Sequence, residues 1–224
     1  MEGTVTEEEY FQHITRDVFP ETQERILVIS LNEDILAKPI ESRSYIEKRL
    51  LTDGKPLKLA ERLVEYKTAN ERRYDFSNHP EDEFWMVIDV DNNWEESKIS
   101  NWNRAVQLCQ KEQIRMAISN PFFEVWLLMH FCDLNEEDAK YAITSQHRYQ
   151  KTNHFQERIR KYHGHLKDKH IKFIDKYTKE CVLAAISRAK GLHQNYDTVP
   201  EYLCSTVYLI IESISSLSNP MYCN

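Results

Sequence analysis

Apolar residues along this chain change their spacing several times, and each change marks a different kind of element. Tyr10, Ile14 and Val18 recur at intervals of four, which places them on one face of a helix. Thr6 and Glu9 precede them as a T-x-x-E capping box, so a helix is predicted over about 6–18. The compact apolar run ERILVISL at 24–31 predicts a strand, and KPLKLAERLVEYKTANERR at 55–73 returns to the amphipathic period of a helix. FWMVIDVD, from Phe84 to Asp91, joins aromatic and β-branched residues without polar alternation, the pattern of a strand covered on both faces of a mostly parallel sheet. Trp102, Val106 and Cys109 then mark one face of a helix over about 98–112, and IRMAIS at 114–119 is a further short strand. Strand and helix alternate to this point, which is the α/β signature.

Beyond Phe131 the pattern changes for good. NEEDAKYAI, the stretch from about 152 to 162, HIKFIDKYTKECVLAAISRAKGL and YLCSTVYLIIESI all carry helical spacing, divided by Gly164, Gly191 and Pro200, and no further strand is predicted. The expected organisation is therefore an α/β domain over 1–132, flanked by its own helices, and a helical, basic region over 133–224.

Composition narrows the class. A chain of 224 residues can bury a core without a disulfide or zinc staple. Its five cysteines, Cys109, Cys132, Cys181, Cys204 and Cys223, are scattered and form no C-x-x-C pair, which suits a reducing compartment. The N-terminal MEGTVTEEEY is acidic, and no segment approaches the roughly 18 apolar residues of a membrane span. A cytoplasmic protein with no membrane partner is expected. The net charge of −7 conceals an asymmetry: residues 140–190 carry 13 Lys and Arg against 4 Asp and Glu, a net +9, leaving −16 for the rest. His147, His154, His163, His165 and His170 lie in the same stretch and add charge only when protonated. A basic lobe of this kind suits a phosphate backbone, although solvated helix faces are often basic without one. The charge contrast is also compatible with head-to-tail self-association into a homo-oligomer. There are only four glycines and no phosphate-cradling loop, so any ATP chemistry has to come from a partner.

Two motifs carry candidate chemistry. Asp89 and Asp91 end the strand one residue apart, project to the same side, and can share a hard divalent cation through oxygen ligands. Equally, they can simply close a strand and open a loop. In SNPFFEVWLLMHF, Ser119 to Phe131, Asn120 is suited to an N-cap and Pro121 to the first helical position, so the strand is predicted to turn straight into a helix whose amino end could seat a phosphate oxygen. Glu124 interrupts this apolar block; a charge there needs a partner or a task, unless it faces solvent or supports the helix start. The HGH triplet at 163–165 with His170 lacks the Cys or acidic ligands of a zinc site.

Taken together, EGTVTEEEYF (Glu2 to Phe11), VIDVDNN and SNPFFEVWLLMHF resemble the signature blocks of the RloB family, with Tyr149 and Lys151, AISRAKGL and STVY matching weaker blocks. The resemblance implies a Toprim-like fold, a mostly parallel sheet flanked by helices with an α-helical C-terminal extension, and a nuclease that works beside an AAA- or ABC-type ATPase in bacterial anti-phage defence. By matched position it implies that Glu2 is the general base or acid and that Asp89 and Asp91 hold Mg²⁺ or Mn²⁺ with it. It also implies that Glu124 joins the catalytic set, that Ser119 and Asn120 line the same sheet edge against substrate, and that Lys151 meets a phosphate of DNA or RNA. One departure accompanies it. In a Toprim fold the glutamate follows a buried strand, whereas Glu2 follows only Met1, so that strand is expected either upstream of Met1 or lost, the latter favouring a catalytically inactive adaptor. Glu33 is the substitute acid if Glu2 does not serve.

Overall fold

The computed structural model describes residues 6–29, 56–90, 96–143, 154–163, 171, 174–192 and 199–218. Their architecture is mixed α/β, mostly helical, around a small three-stranded sheet. The two predicted strands after residue 80 form its parallel pair. Strand β1 (Phe84–Asp89) lies beside β2 (Ile114–Asn120) in a register that runs from Phe84 opposite Ile114 to Asp89 opposite Ser119. On the other side of β2 sits β3 (Cys204–Ser205), antiparallel, with Ser119 opposite Ser205 and Asn120 opposite Cys204. The sheet is thus mixed rather than all parallel, and the C-terminal half contributes a strand where only helices were predicted. Two residues are too few to display a period of two. What makes the strand is a tertiary contact: Ile118 N–H donates to Thr206 Oγ1 at 2.7 Å and Thr206 N–H to Ile118 O at 2.8 Å.

The strand predicted at 24–31 is not found over its described part. Pro20–Arg25 form a 3₁₀ helix, and residues 26–29 run on without joining the sheet; residues 30 and 31 lie outside the described residues. Ile26 and Val28 instead pack against the helical core while Leu27 is 63% exposed. Alternate burial of two side chains is enough to write an apolar run, whether or not a ladder forms.

Helical layers cover both faces of the sheet. On one face Met86, Ile88, Ile114 and Ile118 meet Leu57, Leu59, Ala60 and Leu63 of α2 (Pro56–Tyr74; α1 is described below) and Trp102, Ala105 and Cys109 of α3 (Glu96–Lys111). Trp102 is fully buried, as the spacing of its helix predicts. The opposite face, with Val87 and Ala117, joins one continuous apolar cluster with the remaining helices. That cluster begins at α1 (Thr6–His13), which runs into a π-helical turn over Ile14–Val18 closed by Phe19 N–H to Ile14 O at 2.8 Å. Tyr10, Ile14 and Val18 all point inward, and the Glu9 carboxylate accepts the distant Ile171 N–H at 2.8 Å.

The other contributors are α4 (Glu124–Met129), α5 (Glu136–Ile143), α6 (His154–His163), α7 (Lys179–Lys190) and α8 (Val207–Leu217). Trp126, Phe155, Tyr177, Val182 and Ile211 are fully buried within it. Local sequence explains two of these helix starts. Asn135 and Asp138 cap α5 reciprocally, Asp138 N–H donating to Asn135 Oδ1 and Asn135 N–H to Asp138 Oδ2, which satisfies two otherwise orphaned donors. Thr178 likewise accepts Cys181 N–H at the start of α7. Among the described residues no helix is long and apolar enough to cross a membrane.

Candidate functional site

The apolar run of β1 ends on Asp89, which is half-buried, while its neighbours Ile88 and Val90 are buried. Pairing with β2 continues one step further, through Val90 N–H to Ser119 O at 2.8 Å. Register then aligns three polar residues across the sheet: Asp89 opposite Ser119, and Ser119 opposite Ser205. Register partners share a face, and the Ser119 and Ser205 hydroxyls lie 3.2 Å apart, both buried. This row stands at the carboxyl ends of the parallel strands, where open α/β sheets place their sites.

Asn120 does not act as the predicted N-cap. Its side-chain amide donates to Pro200 O at 3.0 Å and Tyr202 O at 2.7 Å, tying the approach to β3 to the end of β2. The Asn120–Pro121 peptide bond is cis, and α4 starts three residues later, at Glu124, with Phe123 as the preceding cap residue. The intervening residues carry Phe123 down into the core, where it is 1% exposed. The predicted phosphate seat at this helix start is corrected as well. The helix has six residues, Val125 N–H and Leu127 N–H donate to Phe122 O and Phe123 O, and the carboxylate of Glu124 occupies the first turn. A fixed negative charge at the positive end of a helix opposes a second anion there.

Glu124 has a partner. It is half-buried, and Gln156 Nε2 of α6 donates to its Oε1 at 2.6 Å. Two phenols of the helical side feel its charge. Burial pushes the Tyr177 hydroxyl far up and the Tyr141 hydroxyl up, and the negative charge of Glu124 adds to both. The nearby Cys204 thiol of β3 is pushed up by burial to about 12, so it stays protonated and inert at neutral pH.

Asp89, Ser119, Asn120 and Glu124 are therefore gathered at one end of the sheet and the turn that leaves it. Glu2, Asp91, Lys151 and the substitute Glu33 lie outside the described residues, as do His165 and His170. Among the described residues no group of three or more His, Cys, Asp or Glu side chains could hold a metal ion. Of the predicted metal ligands only Asp89 lies among the described residues, and its carboxylate is the hard oxygen type of donor that Mg²⁺ takes. Two residues of this region escape a sequence reading. Ser205 is visible only as part of STVY, and Gln156 sits in a polar stretch with no spacing to distinguish it.

No curated protein and no solved structure matches this chain. The family model described as RloB-like protein matches residues 1–214, a span that includes the N-terminal acidic block, the β1 edge with Asp89, the SNPFFEVWLLMHF turn and the STVY strand, and the chain accordingly belongs to the RloB-like family.

Proposed function

We propose that this chain is a metal-dependent nuclease of Toprim-like build, using Mg²⁺ or Mn²⁺ to hydrolyse phosphodiesters of DNA or RNA, and serving as a subunit of an anti-phage defence system with an AAA- or ABC-type ATPase. The observation that carries the reading is the half-buried carboxylate of Asp89 at the carboxyl edge of a parallel strand pair, beside the Ser119–Ser205 hydroxyl row. A bound divalent ion neutralises charge developing on the phosphate and lowers the pKa of its water. Asp89, with Asp91 and Glu2, would hold it; Glu2 and Glu124 would take or return a proton; Lys151 would meet the substrate, and the buried Ser119 and Asn120 would form the sheet edge that backs the site. The net +9 of residues 140–190 supports a polymer over a small phosphate ester, because each phosphate contact releases counterions. The ATPase partner rests on the family resemblance and on the absence of a phosphate-cradling loop from this sequence.

A second reading has one observation in its favour. Asn120 uses its amide to bind Pro200 and Tyr202 of its own chain, as a purely structural edge would. An inactive adaptor that binds the ATPase or a nucleic acid is consistent with that. The two separate in one experiment: cleavage of plasmid DNA and of total tRNA in Mg²⁺ or Mn²⁺ with the neighbouring ATPase, beside Asp89→Ala. The nuclease reading expects a rate loss of roughly 100-fold or more with an unchanged melting temperature. Equal rates, or no cleavage by the parent, would retire it in favour of the adaptor.

A further inference from the structure

We infer that Gln156 is the positioning residue of Glu124, an amide on α6 that holds this carboxylate at the sheet edge without cancelling its charge. The inference rests on the reading of Glu124 as a proton-transfer group alongside Glu2. An ionised carboxylate only accepts hydrogen bonds, so the amide nitrogen of Gln156 must face it. At 2.6 Å the two side chains are in hydrogen-bond contact, and a bond to an ionised carboxylate is stronger than one between neutral groups. A Lys or Arg in this place would also orient Glu124, but as a salt bridge it would make the carboxylate a poorer base. A neutral donor orients one oxygen and weakens the base less than a cation would, leaving the other oxygen to take a proton.

Gln156 is itself held from several sides. Its neighbours Phe155 and Ile159 are fully buried, which fixes the inward face of α6. One turn apart, His154 and Arg158 both bind the buried Asp138: His154 Nε2 lies 2.7 Å from Oδ1, and Arg158 Nη1 donates to Oδ2. Asp138 is 0% exposed and is fixed in turn by the Asn135 N–H at 2.7 Å. With apolar anchors on one face and a shared carboxylate on another, α6 cannot rotate about its axis. The direction in which Gln156 points is therefore set by the core.

The test combines a spectroscopic arm with a kinetic one. In ¹⁵N–¹H spectra of the full chain, the Gln156 side-chain amide should be shifted downfield and protected from exchange, and Glu124→Ala should return it to a solvent-like position. In the cleavage assay Gln156→Ala should lower kcat roughly 100-fold, as a misplaced reacting group does, with KM and melting temperature little changed. The exchange variant Glu124→Gln/Gln156→Glu keeps a donor facing an acceptor, so it should melt like the parent yet fail to cleave, because the carboxylate has moved. An amide signal indifferent to Glu124→Ala overturns the inference, as does normal cleavage by Gln156→Ala where Glu124→Ala is inactive. Normal cleavage by Glu124→Ala where Asp89→Ala is inactive removes Glu124 from the chemistry, and the positioning role goes with it. A parent that cleaves nothing defeats the nuclease reading itself and this inference with it, while the spectra still report whether the contact exists.

Discussion

On the α2/α3 side of the sheet, the buried groups are Leu57, Leu63, Met86, Ile88, Trp102 and their apolar neighbours; on the other side the helices of the cluster that reaches Val87 and Ala117 also bury His13, His130 and Asp138. Among the described residues, the buried polar ones are Glu7, His13, Thr15, Thr22, Ser119, Asn120, His130, Asp138, Ser205 and Thr206, and none of these comes from residues 56–118. The first layer is held by non-directional burial, which asks only for volume and shape. The second depends on paired donors and acceptors, each of which fails if its partner is removed. The candidate site lies where the second kind of packing reaches the sheet edge, and preorganised chemistry needs directional contacts of that kind.

His130 illustrates the difference. Its Nδ1 lies 2.9 Å from Trp126 O, a carbonyl that can only accept, so Nδ1 carries the proton. Nε2 lies 3.0 Å from the Tyr10 hydroxyl, which donates to it in the neutral form of the ring. The orientation of the ring is thereby fixed from two directions, one of them 120 residues away in sequence. Burial holds the Tyr10 hydroxyl protonated and pushes its pKa up, which keeps the donor in place.

This contrast is open to direct challenge. The largest structural effect is expected at Asp138→Ala, which strands the charge of Arg158 and the bond of His154 in a region of low exposure; urea unfolding should show a loss of about 3–5 kcal/mol. A loss of a few tenths would mean that the polar layer is no more directional than the apolar one. Tyr10→Phe removes one hydroxyl from the donor to His130 and should cost about 1–3 kcal/mol, measurable as a fall in melting temperature at nearly constant volume. On the opposite face, Ile88→Val deletes a methylene from a 1% exposed side chain and should cost only about 0.5–1.5 kcal/mol. If that substitution exceeds Tyr10→Phe in chemical denaturation, the ranking of the two layers is reversed.

The smallest effect is a dependence on pH. The Arg16 guanidinium, and to a lesser degree His13, hold the Asp17 carboxyl down at about 2, against an ordinary 3.8. A folded-state pKa below the unfolded one stabilises the fold above the unfolded value, and that contribution disappears as pH falls from about 4 through about 2. Asp17 is 40% exposed, so solvent screening limits it to a few tenths of a kcal/mol. Asp17→Asn should flatten this acid limb in denaturant titrations between pH 5 and 2.5 and leave stability at neutral pH nearly unchanged.

Much of the fold is legible in the sequence wherever a periodic pattern is long enough to repeat. The helix from Thr6, the amphipathic α2 and α3, and the two parallel strands all lie where their spacing puts them, because burial of one face or both is written residue by residue. The sheet edge that carries Asp89 and Ser119 follows from where those strands stop. The strand predicted at 24–31 is absent from residues 24–29 because Ile26 and Val28 found an apolar surface without a ladder. The helix start predicted at Pro121 moves to Glu124 because Asn120 is held by Pro200 and Tyr202, eighty residues away.

Sequence alone thus determined α1, α2, α3 and the two parallel strands, the carboxylates that end β1 and enter α4, and the membership of the chain in the RloB-like family. Tertiary structure alone decided that Ser205 stands beside Ser119, that Asp138 draws both His154 and Arg158, and that Gln156 reaches Glu124. The physical reason is the range of the forces: propensity and periodicity act within a few residues, whereas a buried polar group takes whatever donor or acceptor the packed core brings to it.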